Sequence, residues 1–78
     1  MNEKELVEFI AKSLVDEADK VNVNVVESEK STILELSVAE SDIGKIIGKH
    51  GRIAKAIRTV LAAVSNKGRK RVLLDIMD

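Results

Sequence analysis

The stretch IIGKHGRIAKAI, residues 46–57, decides the fold, because glycine stands at both ends of its four-residue bend. Aliphatic residues on each side recur at helical spacing, so we expect one helix to end at Gly48 and another to begin after Gly51. Glycine has no Cβ, so it tolerates positive φ and lets a ligand approach the backbone closely. The first turn of the second helix presents unpaired N–H groups at the bend. The segment therefore predicts a phosphate-binding site between two helices.

Basic side chains surround this bend. Lys49 and His50 form its outward-facing tip, Arg52 and Lys55 follow on the next helix, and Lys45 lies on the helix before it. His50 is the only histidine and has no acidic or thiol neighbour, whereas a metal site needs three or four ligands. We therefore expect His50 to hydrogen-bond a phosphate, and we predict neither a metal site nor a cofactor.

Charge is divided unevenly along the chain although the net charge is zero. Residues 1–42 hold four basic and eleven acidic residues, a balance of −7, and residues 43–78 hold nine basic and two acidic residues, a balance of +7. From charge alone, two interpretations stay open. The basic half can bind a polyanion, or the two halves can attract each other within the fold.

Hydrophobic periodicity predicts an α+β domain that spans residues 1–78 with the element order α-β-β-α-α-β. The first helix begins at a capping box of Asn2 and Glu5, continues to about Asp19, and places on its apolar side Leu6, Phe9, Ile10, Leu14 and Ala18. Alternating residues then predict a hairpin over residues 21–38, and two helices flank the glycine bend. The second of these helices is expected to end near residues 66–68 and to place on one side Ile53, Ile57, Val60, Leu61 and Val64. A last strand covers residues 71–76. A three-stranded mixed sheet with three helices on one face is the simplest packing.

Composition excludes several function classes. No cysteine is present, so disulfides and thiolate chemistry are ruled out, and the longest apolar run, Val60 to Val64, is too short to span a membrane. The spacing from Gly44 to Lys49 does not match a nucleotide-binding P-loop. RRM and OB folds bind bases through aromatic residues, and Phe9 is the only one here. We expect a non-enzymatic protein, with a DNA-reading helix-turn-helix as a weak rival.

The pattern Ile46-Ile47-Gly48-x-x-Gly51-x-x-Ala54-x-x-Ile57 resembles the GXXG signature of KH domains, and the element order matches the type II arrangement. With its length and basic last strand, the chain is most similar to the small bacterial KH proteins of the KhpA (YlqC) family. The resemblance implies a cytoplasmic RNA-binding protein, often dimeric, associated with a larger KH protein of the Jag/KhpB type and with control of cell elongation.

In a KH domain the GXXG loop clamps the backbone of about four nucleotides. The residues that this assigns to single-stranded RNA are Gly48, Lys49, His50, Gly51, Arg52, Lys45 and Lys55, with Ile46, Ile47 and Ile53 as an apolar floor for the bases. The basic cluster Lys67, Arg69, Lys70 and Arg71 has three open interpretations, namely an RNA patch, a partner of the acidic first helix, or protection of an edge strand.

The second helix of the pair has an apolar arc wider than one core face requires. Ala54 and Leu61 lie on its flank, and Ala62 leaves the far side nearly bare, so these three residues predict a homodimer interface. Two functions follow from the whole pattern. The first is RNA binding with low sequence selectivity, as an RNA chaperone or post-transcriptional regulator, and the second is a protein-interaction adaptor that forms KH–KH dimers.

Overall fold

The computed structural model describes residues 1–65 and 70–78. Within this part of the chain, the element order is the predicted α-β-β-α-α-β, and the bounds are α1 Glu3–Leu14, β1 Asn22–Glu27, β2 Ser31–Ser37, α2 Ile43–Ile47, α3 Arg52–Val64 and β3 Arg71–Ile76. The predicted helix stop at residues 66–68, and Lys67 and Arg69 of the basic cluster, lie outside the described residues.

Helix α1 begins as predicted but ends earlier. The side chain of Asn2 accepts the N–H of Glu5 at 2.8 Å, and the Glu5 carboxylate accepts the N–H of Asn2 at 3.1 Å, which completes the capping box. The expected continuation to Asp19 is wrong, because Val15 is extended (φ −95°, ψ 162°) and ends the helix. A short 3₁₀ turn at Ala18–Lys20 then leads into β1.

The strands form a mixed sheet in the order β1-β2-β3. Strand β1 runs antiparallel to β2, with Val23 opposite Leu36, and β3 runs parallel to β2, with Leu34 opposite Leu74. These four side chains are buried and point to the same face, since residues of even separation share one side of a strand. The helices cover that face, and the core lies between the two layers.

The helices contribute Val7 and Ala11 from α1, Ile46 from α2, and Ile57 and Leu61 from α3 to this core. Phe9, which we expected on the inner face of α1, is instead 62% exposed. Two apolar stripes run side by side along α3, and the helix turns only one of them inward. Periodicity alone does not tell which stripe faces the core. The prediction that Val60 and Val64 face inward is wrong, since they are 42% and 53% exposed.

Among residues 1–65 and 70–78, no helix has the length and apolar character that a membrane crossing requires.

Candidate nucleic-acid interface

Gly48 ends α2 and cannot be replaced without movement of its neighbour. Its backbone has φ +75° and ψ 171°, a conformation that L side chains rarely adopt, and its N–H donates to the carbonyl of Gly44 at 2.9 Å. A Cβ at this position would lie 2.5 Å from Cγ1 of Ile53. Gly48 is therefore required both by its dihedral angles and by the close approach of α3.

His50 and Gly51 form two successive left-handed residues at the tip of the bend. Their φ and ψ angles are 59° and 25° for His50 and 72° and 14° for Gly51. The N–H of Gly51 donates to the carbonyl of Gly48 at 3.0 Å, which closes the turn. A Cβ on Gly51 would meet nothing within 4 Å, so glycine is favoured here by backbone conformation alone. His50 is the one described residue other than glycine with positive φ, and such backbone strain is characteristic of functional loops.

Helix α3 begins directly after this turn and points its N-terminus at it. Gly51 occupies the N-cap position, and no described side chain accepts the first N–H groups of the helix. The N-terminus of a helix carries a partial positive charge of about half a unit, which favours anions. The predicted phosphate site is thus a bend of left-handed backbone that lies against an uncapped helix end.

Basic residues of the loop and of the start of α3 are open to solvent. Lys49, His50, Arg52 and Lys55 are all exposed. The ion pairs formed by the described residues involve Lys45 and Lys70, so Lys49, Arg52 and Lys55 have no carboxylate partner within that part of the chain. These cations can therefore bind an external anion without first giving up an internal one.

Lys45 is in a different situation. Its Nζ atom lies 3.0 Å from Oδ2 of Asp16 and 3.2 Å from Oδ1 of Asp42. Asp42 is 1% exposed, and its carboxylate also accepts the N–H groups of Asp16 at 3.2 Å and Glu17 at 3.0 Å. The predicted contact between Lys45 and RNA is untested, but the ammonium is already held by two carboxylates.

These contacts shift both titrating groups. The N–H of Glu17 lowers the pKa of Asp42 most, and the N–H of Asp16 and the ammonium of Lys45 add to it, which together outweigh the effect of burial. The hydrogen bond from Asp16, followed by that from Asp42, raises the pKa of Lys45. The sequence alone does not reveal this role of Asp42, because the two backbone N–H donors lie 26 and 25 residues away and no local pattern connects them to it.

The three isoleucines predicted as a floor for bases differ in their exposure. Ile46 is 0% exposed and belongs to the core, so its predicted contact with bases is wrong. Ile47 is 39% exposed, and Ile53 is half-buried against Gly48 and the core. Any apolar floor beside the loop therefore comes from Ile47 and Ile53.

The predicted dimer interface needs the same correction. Ala54 is 4% exposed and Leu61 is 1% exposed, so both pack inside the domain and cannot line a free surface. Ala62 is exposed. The stripe of α3 that stays open to solvent is instead formed by Ala56, Val60, Ala63 and Val64.

Sequence reasoning missed one basic residue of the site region. Arg58 follows Lys55 by one turn of α3, and its Nε and Nη2 atoms donate to the carbonyl of Leu74 at 3.4 and 3.3 Å. Strand β3 is an edge of the sheet, so this contact covers one of its outward-facing carbonyl groups. Spacing along α3 could have suggested a basic flank, but not the contact with β3.

Of the basic cluster, the structure describes Lys70 and Arg71. The Nζ of Lys70 lies 3.8 Å from Oε1 of Glu27, and Arg71 is exposed at the start of β3. Glu27 belongs to β1 and not to the first helix, so this weak exposed pair favours none of the three interpretations of the cluster. Over residues 1–65 and 70–78, no group of three or more histidine, cysteine or acidic residues is placed to hold a metal ion.

The fold and the glycine-bounded bend define a KH domain. The family described as KhpA/KhpB, KH domain, matches residues 4–76, and the chain belongs to that family.

Individual relatives agree with this assignment over nearly the full length. The chain is 64% identical to the RNA-binding protein KhpA of Borreliella burgdorferi over 77 residues, which cover 99% of the chain and 94% of that protein. It is 60% identical to the RNA-binding protein KhpA of Clostridium perfringens, with 95% and 99% covered, and 47% identical to that of Treponema pallidum, with 97% and 95% covered. The family prediction is confirmed, and relatives with these names agree with the prediction of a non-enzymatic protein.

Proposed function

We propose that this chain binds single-stranded RNA and holds its sugar–phosphate backbone at the loop of residues 48–51. The observation that carries the proposal is the backbone of the loop, in which His50 and Gly51 are left-handed directly before the N-terminus of α3. Lys49, Arg52 and Lys55 add positive charges without carboxylate partners in the described chain. The names of the relatives support RNA rather than DNA as the ligand.

Binding through phosphates carries little sequence information, so selectivity is expected to be low. A KH loop contacts about four nucleotides. With three or four phosphates neutralised at roughly 0.7 counterions each, the logarithm of the affinity should fall against the logarithm of salt concentration with a slope of about −2 to −3. Affinity from one such site is weak.

Such binding fits an RNA chaperone or a post-transcriptional regulator in the cytoplasm. We further propose a heteromer with a KH protein of the Jag/KhpB type and a role in cell elongation. The family description, which names KhpA and KhpB together, supports the pairing.

The test is a double substitution, Lys49→Asp with His50→Asp, and binding to a fluorescein-labelled oligouridine. Aspartate is among the residues that tolerate left-handed backbone, so the loop should stay folded. The matched control, Asn22→Asp with Lys30→Asp, makes the same change in charge at exposed positions away from the loop. We expect the loop variant to lose RNA binding and the control to keep it. Equal affinity for wild type and loop variant would refute the proposal.

A second function is favoured by the open stripe of α3. Val60 and Val64 are 42% and 53% exposed, and Ala56 and Ala63 lie beside them. Burial of this stripe against a second KH domain would remove apolar surface from water at roughly 25 cal/mol per Å². In that case the chain acts as an adaptor through KH–KH dimers, and a dimer also joins two RNA sites.

A further inference from the structure

The ammonium of Lys45 connects two segments that are far apart in the chain. It bonds Asp16, just after α1, and Asp42, just before α2, at 3.0 and 3.2 Å. Asp42 in turn accepts two backbone N–H groups, from Asp16 and Glu17. Because Asp42 is 1% exposed, these bonds are shielded from water on the Asp42 side. The network fastens the start of α2 to the end of the α1 region.

Helix α2 depends on such a support. It has five residues, too few to be stable without tertiary contacts. Ile46 anchors one side of it in the core, and Lys45 fastens the adjacent side. Gly48, the first residue of the loop, directly follows the helix and bonds back to Gly44. The orientation of α2 therefore sets the position of the loop.

We propose that Lys45 is a positioning residue for RNA binding, which holds α2 and Gly48 in place through Asp42 and Asp16 and does not itself neutralise a phosphate. The inference rests on the proposed RNA binding at the loop. Charge supports it, since an ammonium between two carboxylates adds no net positive charge to the surface. Lys49 and Lys55, in contrast, have no carboxylate partner among the residues that the structure describes.

The dependence of RNA affinity on salt separates the two roles. Each phosphate that a side chain neutralises contributes about 0.7 to the slope of log affinity against log salt for a single strand. Loss of a phosphate contact must therefore lower the slope, whereas loss of a positioning contact weakens binding at an unchanged slope. The probe is a fluorescein-labelled oligouridine, titrated over a range of salt concentrations.

We expect Lys45→Met to weaken binding about three- to tenfold at the wild-type slope. The matched control is Lys49→Met, which should lower the slope by about 0.7. Asp42→Asn should weaken RNA binding by a similar factor. The double variant Lys45→Met with Asp42→Asn should lose less affinity than the sum of the two single losses, because each substitution disrupts the same network. Circular dichroism fixes a temperature at which every variant is folded, and amide shifts of Gly48 and Gly51 report the position of the loop in the free protein.

Three results would count against the inference. If Lys45→Met lowers the slope as Lys49→Met does, Lys45 contacts a phosphate directly. If folded Lys45→Met binds as wild type, Lys45 has no positioning role. If instead Lys49→Met changes neither affinity nor slope, the proposed RNA site itself fails, and the inference fails with it, which is a distinct outcome of the same titration.

Discussion

Ile53 occupies the space that a side chain on Gly48 would need. A Cβ on Gly48 would lie 2.5 Å from Cγ1 and 2.9 Å from Cβ of Ile53. Gly48 ends α2, and Ile53 lies in the first turn of α3, so their contact sets how closely the two helices approach. At Gly51 the same added atom would meet nothing within 4 Å. The two glycines of the loop therefore serve different purposes.

This difference predicts unequal costs of substitution. Gly48→Ala combines a strained backbone with an overpacked contact, and we expect it to lower the free energy of unfolding by about 2–4 kcal/mol. Gly51→Ala adds only the left-handed strain, about 1 kcal/mol, and Gly51→Asn should cost less still. Urea denaturation measures all three. Equal losses for the two alanine variants would show that the contact with Ile53 relaxes freely.

The Asp42 network predicts loss of stability in acid. The pKa of Asp42 is lowered from its ordinary value of 3.8 in the folded protein, so its contribution is present above that value and is lost as pH falls towards the lowered pKa. The pKa of Lys45 is raised above its ordinary value of 10.5, so the contribution of Lys45 to stability is lost only as pH rises above that value. The groups around Asp42 are Lys45, Asp16 and the N–H of Glu17.

Thermal unfolding between pH 2 and pH 7 tests this, in wild type and Asp42→Asn. The variant should be less stable near neutral pH, and its melting temperature should depend less on pH below about 4, since the titrating group is gone. Asp19→Asn, an exposed carboxylate at the 3₁₀ turn, is the control. If Asp42→Asn keeps the full dependence of the melting temperature on acid pH, a group other than Asp42 is responsible for it.

The open stripe of α3 predicts that a substitution at Val60 disrupts self-association and that one at Ala62 does not. Val60 is 42% exposed, so Val60→Lys should change the free energy of unfolding by no more than about 0.5 kcal/mol. In an apolar interface the same lysine must be desolvated, and we expect a dimeric wild type to become monomeric. Light scattering after gel filtration measures the molar mass. Ala62→Lys is the matched control on the other flank of α3. If only Ala62→Lys made the dimer dissociate, the interface would include Ala62, as the sequence predicted, and not Val60.

Burial predicts that Leu61 contributes much more to stability than Phe9, although Phe9 has the larger apolar side chain. Phe9→Ala should change the free energy of unfolding by about 0.5 kcal/mol or less, because the ring is 62% exposed. Leu61→Ala should cost about 2–5 kcal/mol, because the side chain is 1% exposed and its removal leaves a cavity. Urea denaturation of both variants makes the comparison. A large loss for Phe9→Ala would indicate that the ring is covered in solution, and an association surface would have to include it.

Local signals were sufficient for much of this protein. The capping box starts α1, alternation marks β1 and β2, and Gly48 and Gly51 mark the bend, because each of these features depends on residues within one turn or one strand. The order of elements and the family resemblance follow from them. The cations around the loop were also visible, since they are neighbours in the chain.

Packing was needed for the rest. Ala54, Leu61, Val60 and Val64 all have helical spacing, and only contact with the sheet and α2 determines which of them are buried. In the same way, the partners of Asp42 lie 25 and 26 residues away, so its role arises when the chain has folded and brings those N–H groups to a buried carboxylate. Periodicity tells which residues share a side of a helix, but the side that loses contact with water is a property of the assembled domain.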